Sequence, residues 1–207
     1  MTGAAPRLVL ATHNRHKLGE LRAILHPALP GLDLDAVVTA GDLGVPDPVE
    51  DGVTFAENAL IKARAVARAT GLPAVADDSG LAVDVLGGAP GIFSARWSGR
   101  HGDDVANLEL LLAQLSDVPE AHRGARFICA AALVTPAGAE VVEHGALVGT
   151  LATAPRGGNG FGYDPVLVPL GDTRTCAELA PDEKNAISHR GQAFRALVPA
   201  VVRALEA

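Results

Sequence analysis

Short apolar runs alternate with amphipathic stretches from the start of the chain. Leu8–Ala11 is an uninterrupted apolar run of strand length. After it, Leu18, Leu21 and Leu25 recur at the spacing of one helix face, and Asn14 stands where an N-cap is expected. This segment therefore predicts a strand followed by a helix.

The next stretch combines an alternating pattern with a helix start signal. Apolar side chains occupy every second position over 32–38, which predicts a half-buried strand. Thr54 and Glu57 have the spacing of a capping box, and the helix that they open is predicted to run to about Thr70, with Gly71 as its stop.

The remaining elements alternate between strand and helix patterns. The runs 73–76 and 81–86 predict a buried strand and a second strand, and 103–115 predicts a helix with Val105, Leu108 and Leu112 on one face. A hairpin is predicted for 126–134 and 140–148, around the turn Pro136-Ala137-Gly138. A last helix is predicted over 188–205, with Phe194, Leu197 and Val201 in register. This order indicates an α/β protein with a mixed sheet.

Composition narrows the class of protein. The 207 residues are 48% apolar, which suits a single domain that folds without disulfides, and Cys129 and Cys176 have no CxxC spacing. The net charge of −7 disfavours binding to long nucleic acid. The longest apolar run, Phe127–Val134, is far too short for a membrane span, and no signal peptide is evident. We expect a soluble protein of the cytoplasm.

Charge is distributed unevenly. Segment 7–22 carries a net charge of +3, whereas 31–57 contains seven acidic residues and no Lys or Arg. A basic segment followed by an acidic one suits a polyanion that binds together with a metal counterion. The alternative is a chance distribution of charges that keep the protein soluble.

Two adjacent carboxylates follow the buried run 73–76. Neighbouring side chains of a strand point in opposite directions, so Asp77 and Asp78 are expected to have different roles. The functional hypothesis is a Mg²⁺ site with a general base, in which Ser79 donates to a phosphate; the alternative is an Asx-turn that closes the strand. Glu50 would provide a second oxygen ligand. Lys62, on the capped helix, is interpreted as solvated or paired rather than catalytic.

Loops supply the other candidate contacts. The segment 12–17 joins a strand to a helix start, where backbone N–H groups and Lys17 favour an anion, although it lacks the Walker spacing. The Gly-rich segment 157–165 fails the dinucleotide fingerprint because no helix follows it. Its aromatics, Phe161 and Tyr163, offer faces on which a base could stack. The alternative is that they pack the loop against the protein, which is an equally common role of aromatic residues in loops.

Taken together, six motifs resemble those of the inosine triphosphate pyrophosphatase family, the XTP/dITP diphosphatases. Six motifs in the right order are a specific signal, and they span nearly the whole chain. They are Thr12-x-Asn14-x-x-Lys17-x-x-Glu20, Glu50-x-Gly52-x-Thr54-Phe55-x-Glu57-Asn58-Ala59, Ala76-Asp77-Asp78-Ser79-Gly80-Leu81, Gly91-Ile92-Phe93-Ser94-Ala95-Arg96, Gly160-Phe161-Gly162-Tyr163-Asp164 and Ser188-His189-Arg190.

The resemblance implies a role for each matching residue. Asp78 would be the proton acceptor that activates water, and Asp78 and Glu50 would bind Mg²⁺. The residues implied as triphosphate contacts are Thr12, His13, Asn14, Arg15, His16, Lys17, Ser79 and Lys184. Those implied for the purine are Phe161, Gly162, Tyr163, Asp164, His189 and Arg190. His13 departs from the many relatives that have a small residue such as Gly there.

The resemblance also implies an architecture and an activity. The whole chain, 1–207, would be a single α/β domain with an elongated mixed sheet flanked by helices, in two lobes around a central cleft, and a homodimer. It would hydrolyse ITP, dITP and XTP to the monophosphate and pyrophosphate, and so remove deaminated purines from the nucleotide pool. The alternatives are a pyrophosphatase for pyrimidine or methylated nucleotides, a phosphatase with an aspartyl nucleophile, and a catalytically silent nucleotide-binding regulator.

Overall fold

The computed structural model describes residues 4–206, without the side chain of His16, and in that part of the chain strands and helices alternate before a long hairpin. The strands are β1 (Leu8–Leu10), β2 (Val37–Thr39), β3 (Ala74–Val83), β4 (Gly124–Val134), β5 (Glu140–Leu151) and β6 (Leu167–Pro169). The α-helices are α1 (Arg15–Leu25), α2 (Phe55–Thr70), α3 (Asp104–Gln114), α4 (Pro181–Ile187) and α5 (His189–Glu206). The pattern of the sequence did not predict β6 or α4.

The six strands form one open sheet in the order β2-β1-β3-β4-β5-β6. β1 pairs in parallel with β2 and with β3, where Val9 lies opposite Ala74 and Leu10 opposite Val75. β5 and β6 are antiparallel, so the sheet is mixed. The predicted mixed sheet flanked by helices is confirmed, and the predicted hairpin is found with longer strands on both sides of its turn.

β3 differs from the prediction of two strands separated by a turn. It runs without a break from Ala74 to Val83, and the segment predicted as a second strand ends in a short 3-10 helix at Asp84–Leu86. Asp77 and Asp78 therefore lie in the middle of a strand rather than at its end, and the alternative of an Asx-turn is wrong. Their opposite directions, which the prediction did include, follow from the period of two residues along a strand.

Two further predictions are corrected. Of the predicted strand over 32–38 only the last two residues lie in a strand, β2, which continues to Thr39. The Asp33 carboxylate accepts the N–H of Asp35 and starts a 3-10 turn at Leu34–Ala36 before it. In α3, Val105 is 68% exposed, and the buried face is instead formed by Leu108 and Leu111.

The predicted helix starts and faces are otherwise found. The hydroxyl of Thr54 accepts the N–H of Glu57 at the start of α2, and Gly71 ends that helix with a left-handed φ of 68°. Leu18, Leu21 and Leu25 of α1 are buried, as are Phe194, Leu197 and Val201 of α5. None of the described helices is long and apolar enough to cross a membrane.

The chain divides into two compact units. The first comprises the described residues of Met1–Asp78, Cys129–Gly145 and Arg190–Ala207, and the second comprises Ser79–Ile128 and Ala146–His189. The core of the first unit contains the buried leucines of β1 and α1, together with Phe194 and Leu197 of α5. The core of the second unit contains the buried leucines of α3, with Leu81, Phe127 and Tyr163. The central cleft stays a prediction.

Candidate active site

One face of β3 carries a buried carboxylate between two cations of the first unit. Asp77 is 3% exposed; both of its oxygens lie 2.9 Å from Lys17 Nζ, and Arg190 Nε donates to Oδ2 at 3.0 Å. Burial alone would raise its pKa, but the charges of Lys17 and Arg190 outweigh burial and hold the pKa of Asp77 far below its ordinary value. Asp77 is therefore a permanent anion, with a structural role.

Arg190 is thereby placed differently from its predicted role. Its guanidinium is buried in the first unit, where it also lies 3.7 Å from Glu20 Oε2. Donation from Arg190 to a purine stays a prediction, but its Nε is committed to the Asp77 carboxylate.

The other face of β3 presents Asp78 to side chains from α2. Asn58 Nδ2 donates to Asp78 Oδ2 at 3.1 Å, and Lys62 Nζ lies 3.6 Å from Asp78 Oδ1. Burial raises the pKa of Asp78 above its usual value, against the opposing effects of Lys62 and Asn58. A carboxylate with a raised pKa is a stronger base, which suits the predicted proton acceptor.

Lys62 joins the two predicted metal ligands. The same Nζ donates to Glu50 Oε2 at 3.1 Å, and the lysine side chain is only 12% exposed. Burial lowers the pKa of Lys62, but the charges of Asp78, Asp77 and Glu50 more than compensate, so the pKa is raised and the ammonium stays protonated. Lys62 was predicted to be either solvated or paired, and the structure shows that it is paired.

The carboxylates of Glu50 and Asp78 fit a magnesium ion. The Lys62 ammonium lies 3.1 Å from Glu50 and 3.6 Å from Asp78, so both carboxylates attract the same positive charge. No three His, Cys, Asp or Glu side chains converge on a metal position in the part of the chain that is described. Two carboxylates suffice for Mg²⁺ in proteins, because substrate phosphates and water complete its coordination.

The predicted phosphate segment precedes and enters α1. The Asn14 N–H donates to Thr12 Oγ1 at 3.1 Å, which forms a compact turn before the helix. His13 Nδ1 lies 2.9 Å from Asp47, and Arg15 pairs with Asp42. Lys17, the last residue of the segment, reaches Asp77, while the side chain of His16 lies outside the described part.

The predicted purine residues lie in the second unit, apart from Arg190. The Asp164 carboxylate is buried, accepts the N–H of Phe161 at 2.8 Å and pairs with Lys184. Gly160 has a φ of 77°, and a Cβ there would collide with Asp164 Oδ2. Asp164 is thus turned towards its own loop and orders it.

Phe161 and Tyr163 have different environments. The Phe161 ring is 64% exposed and has Lys184 Nζ 5.4 Å from its centre. Tyr163 is buried and donates its hydroxyl to the carbonyl of Ser94, while the N–H of Gly162 is taken by Asp104. Only Phe161 of these loop aromatics offers a face for stacking.

The last two predicted residues have ordered surroundings. The ring of His189 stacks on Phe127, with ring centres 5.0 Å apart and planes 27° from parallel. Ser79 follows Asp78 on β3 and is half-buried. The predicted triphosphate contact of Lys184 stays a prediction, because the structure pairs this lysine with Asp164 and places it beside Phe161.

A comparison of the sequence with family models gives a match to the Ham1 family over residues 8–200. The chain belongs to the Ham1 family. Relatives of this Ham1 chain named dITP/XTP pyrophosphatase include one from Streptomyces avermitilis, 71% identical over 94% of this chain and 96% of that relative, and one from Streptomyces coelicolor, 67% identical over the same shares. The predicted family is confirmed.

Solved Ham1 structures agree with the fold. A HAM1 protein from Coxiella burnetii, 42% identical, aligns with a TM-score of 0.85 over 96% of this chain and all of that one. A dITP/XTP pyrophosphatase from Mycobacterium abscessus, 54% identical, aligns with a TM-score of 0.77 over 93% of this chain and 99% of that one.

Asn58 and Lys62 were not among the predicted site residues: Asn58 stood only in a family motif, and Lys62 was interpreted as solvated or paired rather than catalytic. Asn58 and Lys62 both contact Asp78, and they are four positions apart on α2, so they share one helix face. That spacing was available in the sequence. The buried partner of Arg190 was not, because Asp77 is 113 positions away.

Proposed function

We propose that this chain is a nucleoside-triphosphate pyrophosphatase that hydrolyses ITP, dITP and XTP to the monophosphate and pyrophosphate. The observation that carries the proposal is the arrangement around Asp78: a partly buried carboxylate with a raised pKa, beside the Lys62 ammonium that it shares with Glu50. The names of the Streptomyces relatives support the same activity.

The residues of the first unit provide the reaction chemistry in this proposal. Asp78 accepts a proton from a water molecule, whose oxygen attacks the α-phosphorus, and the bond from that phosphorus to the bridging oxygen breaks to release pyrophosphate. Lys62 is a fixed cation that stabilises the negative charge of the triphosphate and of the transition state. Glu50 and Asp78 would hold Mg²⁺, which would supply further positive charge to the phosphates.

Residues of the second unit recognise the base in this proposal. Phe161 stacks on the purine, and the ammonium of Lys184 lies beside that ring as a donor. Inosine and xanthosine carry a carbonyl oxygen at C6, which accepts hydrogen bonds, whereas adenine carries an amino donor. Donors from Lys184 or His189 therefore favour the deaminated bases over adenine, but they do not distinguish them from guanine, which also carries a C6 oxygen. The N–H groups of Phe161 and Gly162 are occupied by Asp164 and Asp104.

The assembly and location are proposed on the family resemblance. We propose a homodimer that acts in the cytoplasm, where the nucleotide pool is used by polymerases.

The products of ITP hydrolysis test the proposed reaction. We expect IMP and pyrophosphate to appear in equal amounts, because the attack takes place at the α-phosphorus. The measurement separates nucleotides by chromatography and assays pyrophosphate and phosphate independently, with and without excess EDTA. The appearance of IDP together with free phosphate would instead indicate a phosphatase, and full activity in EDTA would contradict the role of Mg²⁺.

The Phe161→Ala variant tests the base-stacking role. Stacking contributes about 1–3 kcal/mol per base and does not distinguish purines. We expect kcat/KM for ITP, XTP and ATP to fall by a similar factor, about 5–100-fold, with the preference for ITP over ATP retained. Phe93→Ala, which removes another exposed phenylalanine of the second unit, is the matched control. A change confined to ITP, or an equal loss in Phe93→Ala, would refute the assignment.

A further inference from the structure

Asn58 connects the two halves of the proposed metal site. Its Nδ2 donates to Asp78 Oδ2 at 3.1 Å, and its Oδ1 accepts the N–H of Gly52 at 2.9 Å. Gly52 lies two residues after Glu50, in the loop that carries this carboxylate to α2. One side chain therefore contacts both the β3 carboxylate and the backbone of the Glu50 loop.

Both contacts together require a side chain that donates and accepts, as the Asn58 amide does. An ionised carboxylate can only accept hydrogen bonds and a backbone N–H can only donate, so the side chain between them must donate on one side and accept on the other. Asn58 is 2% exposed, and loss of either partner would leave a buried polar group without its hydrogen bond. The contacts also fix which way the amide is oriented.

The bond from Asn58 occupies one oxygen of the Asp78 carboxylate and restrains the orientation of the group. Asn58 holds Oδ2, and the other oxygen, Oδ1, lies 3.6 Å from Lys62 Nζ. The same Nζ contacts Glu50. Rotation of the Asp78 carboxylate by less than a half-turn would break the bond with Asn58, so the bond holds the group with its other oxygen near the lysine.

Gly52 allows the loop to approach this closely. A Cβ on residue 52 would lie 2.6 Å from Asn58 Oδ1 and 2.7 Å from Glu57 Cβ. Neither neighbour can easily yield, because Asn58 is buried and Glu57 is fixed by bonds at the start of α2. The absence of a side chain at Gly52 is thus a condition for the contact with Asn58.

We propose that Asn58 is a positioning residue, which holds the Asp78 carboxylate and the Glu50 loop in the one arrangement that binds a divalent cation and activates water. Asn58 acts through Asp78 and Glu50 and does not itself contact the reacting atoms. The inference rests on the metal and base roles proposed for those two residues. Partners of this kind typically change metal affinity or activity by about 10–100-fold.

The test combines kinetics with a direct measurement of metal binding. In Asn58→Ala, we expect kcat for ITP to fall about 10–100-fold, with KM changed by less than about threefold, because the nucleotide contacts remain. Binding of Mn²⁺, followed by electron paramagnetic resonance without nucleotide, should weaken by about tenfold or more. Gly52→Ala should cause both changes as well, because its methyl group would disturb the bond between the residue 52 N–H and Asn58 Oδ1. If Asn58→Ala does not fold, Gly52→Ala provides the test by itself.

Asn107→Ala is the matched control. Asn107 is equally buried, lies on α3 of the second unit, and accepts hydrogen bonds from Ser98. Its loss should lower the thermal stability as Asn58→Ala does, but leave kcat and Mn²⁺ binding within about twofold.

The proposal is overturned if Asn58→Ala or Gly52→Ala keeps parental kcat and Mn²⁺ affinity, or if Asn107→Ala loses as much kcat and Mn²⁺ affinity as Asn58→Ala does. Parental protein that binds Mn²⁺ but does not hydrolyse ITP would contradict the proposed function, while the Mn²⁺ comparison would still test Asn58.

Discussion

Asp78→Asn is expected to lower kcat for ITP by at least about 100-fold. The amide has almost the same size as the carboxylate, but it cannot accept the proton of the attacking water, and it removes one anionic ligand of Mg²⁺. Initial rates over a range of ITP and Mg²⁺ concentrations give kcat separately from KM. A kcat within tenfold of the parent would exclude Asp78 as the base.

The control for this variant is a measurement of stability. Burial disfavours the charged form of Asp78, as its raised pKa indicates, so a neutral amide removes a desolvation cost while it loses the contact with Lys62. We expect the free energy of unfolding of Asp78→Asn to stay within about 1 kcal/mol of the parent. The loss of activity is then a loss of chemistry and not of folded protein.

Asp77→Asn, unlike Asp78→Asn, is expected to destabilise the protein, with a loss of about 3–5 kcal/mol of unfolding free energy at neutral pH. The variant leaves Lys17 and Arg190, both largely buried, without the Asp77 carboxylate that they share, and only Glu20 remains near Arg190, at 3.7 Å. Urea denaturation at pH 7 measures the difference. The exposed pair of Asp84 and Arg126 provides the control, because loss of a surface ion pair costs less than about 1 kcal/mol.

The effect of Asp77 depends on pH in a defined direction. Its pKa is lower in the folded protein than in the unfolded chain, so its contribution to stability is complete above the ordinary carboxyl pKa of about 4 and decreases as pH falls below that value. The gap between the parent and Asp77→Asn should therefore narrow on acidification. A gap that is constant from pH 7 to pH 3 would exclude the ionised Asp77 as its cause.

The sequence correctly predicted those elements that are stabilised by contacts between residues close together in the chain. The capping bond of Thr54 and the stop at Gly71 depend on residues within a few positions, and both are found. The division of roles between Asp77 and Asp78 was also predictable, since it needs only the alternation of side chains along an extended strand. The Ham1 motifs identified the residues that surround this pair.

Other features depend on distant residues and could not be read from the local pattern. Asp77 to Gly80 has the composition of a turn, yet it is extended, and the cations that stabilise Asp77 lie 60 and 113 positions away. In the stretch 32–38 the alternation typical of a strand was misleading. The N–H of Asp35 donates to the Asp33 carboxylate, and this local hydrogen bond favours a turn there instead of a strand. The placement of Arg190 could not be predicted either, because its carboxylate partner, Asp77, lies on a different element.

The register of β3 has a consequence for how this enzyme can evolve. β1 fixes that register through the pairs Val9–Ala74 and Leu10–Val75. An insertion of one residue would move Asp77 to the position of Asp78, opposite α2, whereas a deletion would move Asp78 to the position of Asp77, between Lys17 and Arg190. The two carboxylates are chemically identical, and only their place in the register distinguishes the structural anion from the proposed base. An insertion or deletion between Val75 and Asp77 would leave one of these two positions without its carboxylate, so we expect natural selection to tolerate substitutions in this segment but not changes in its length.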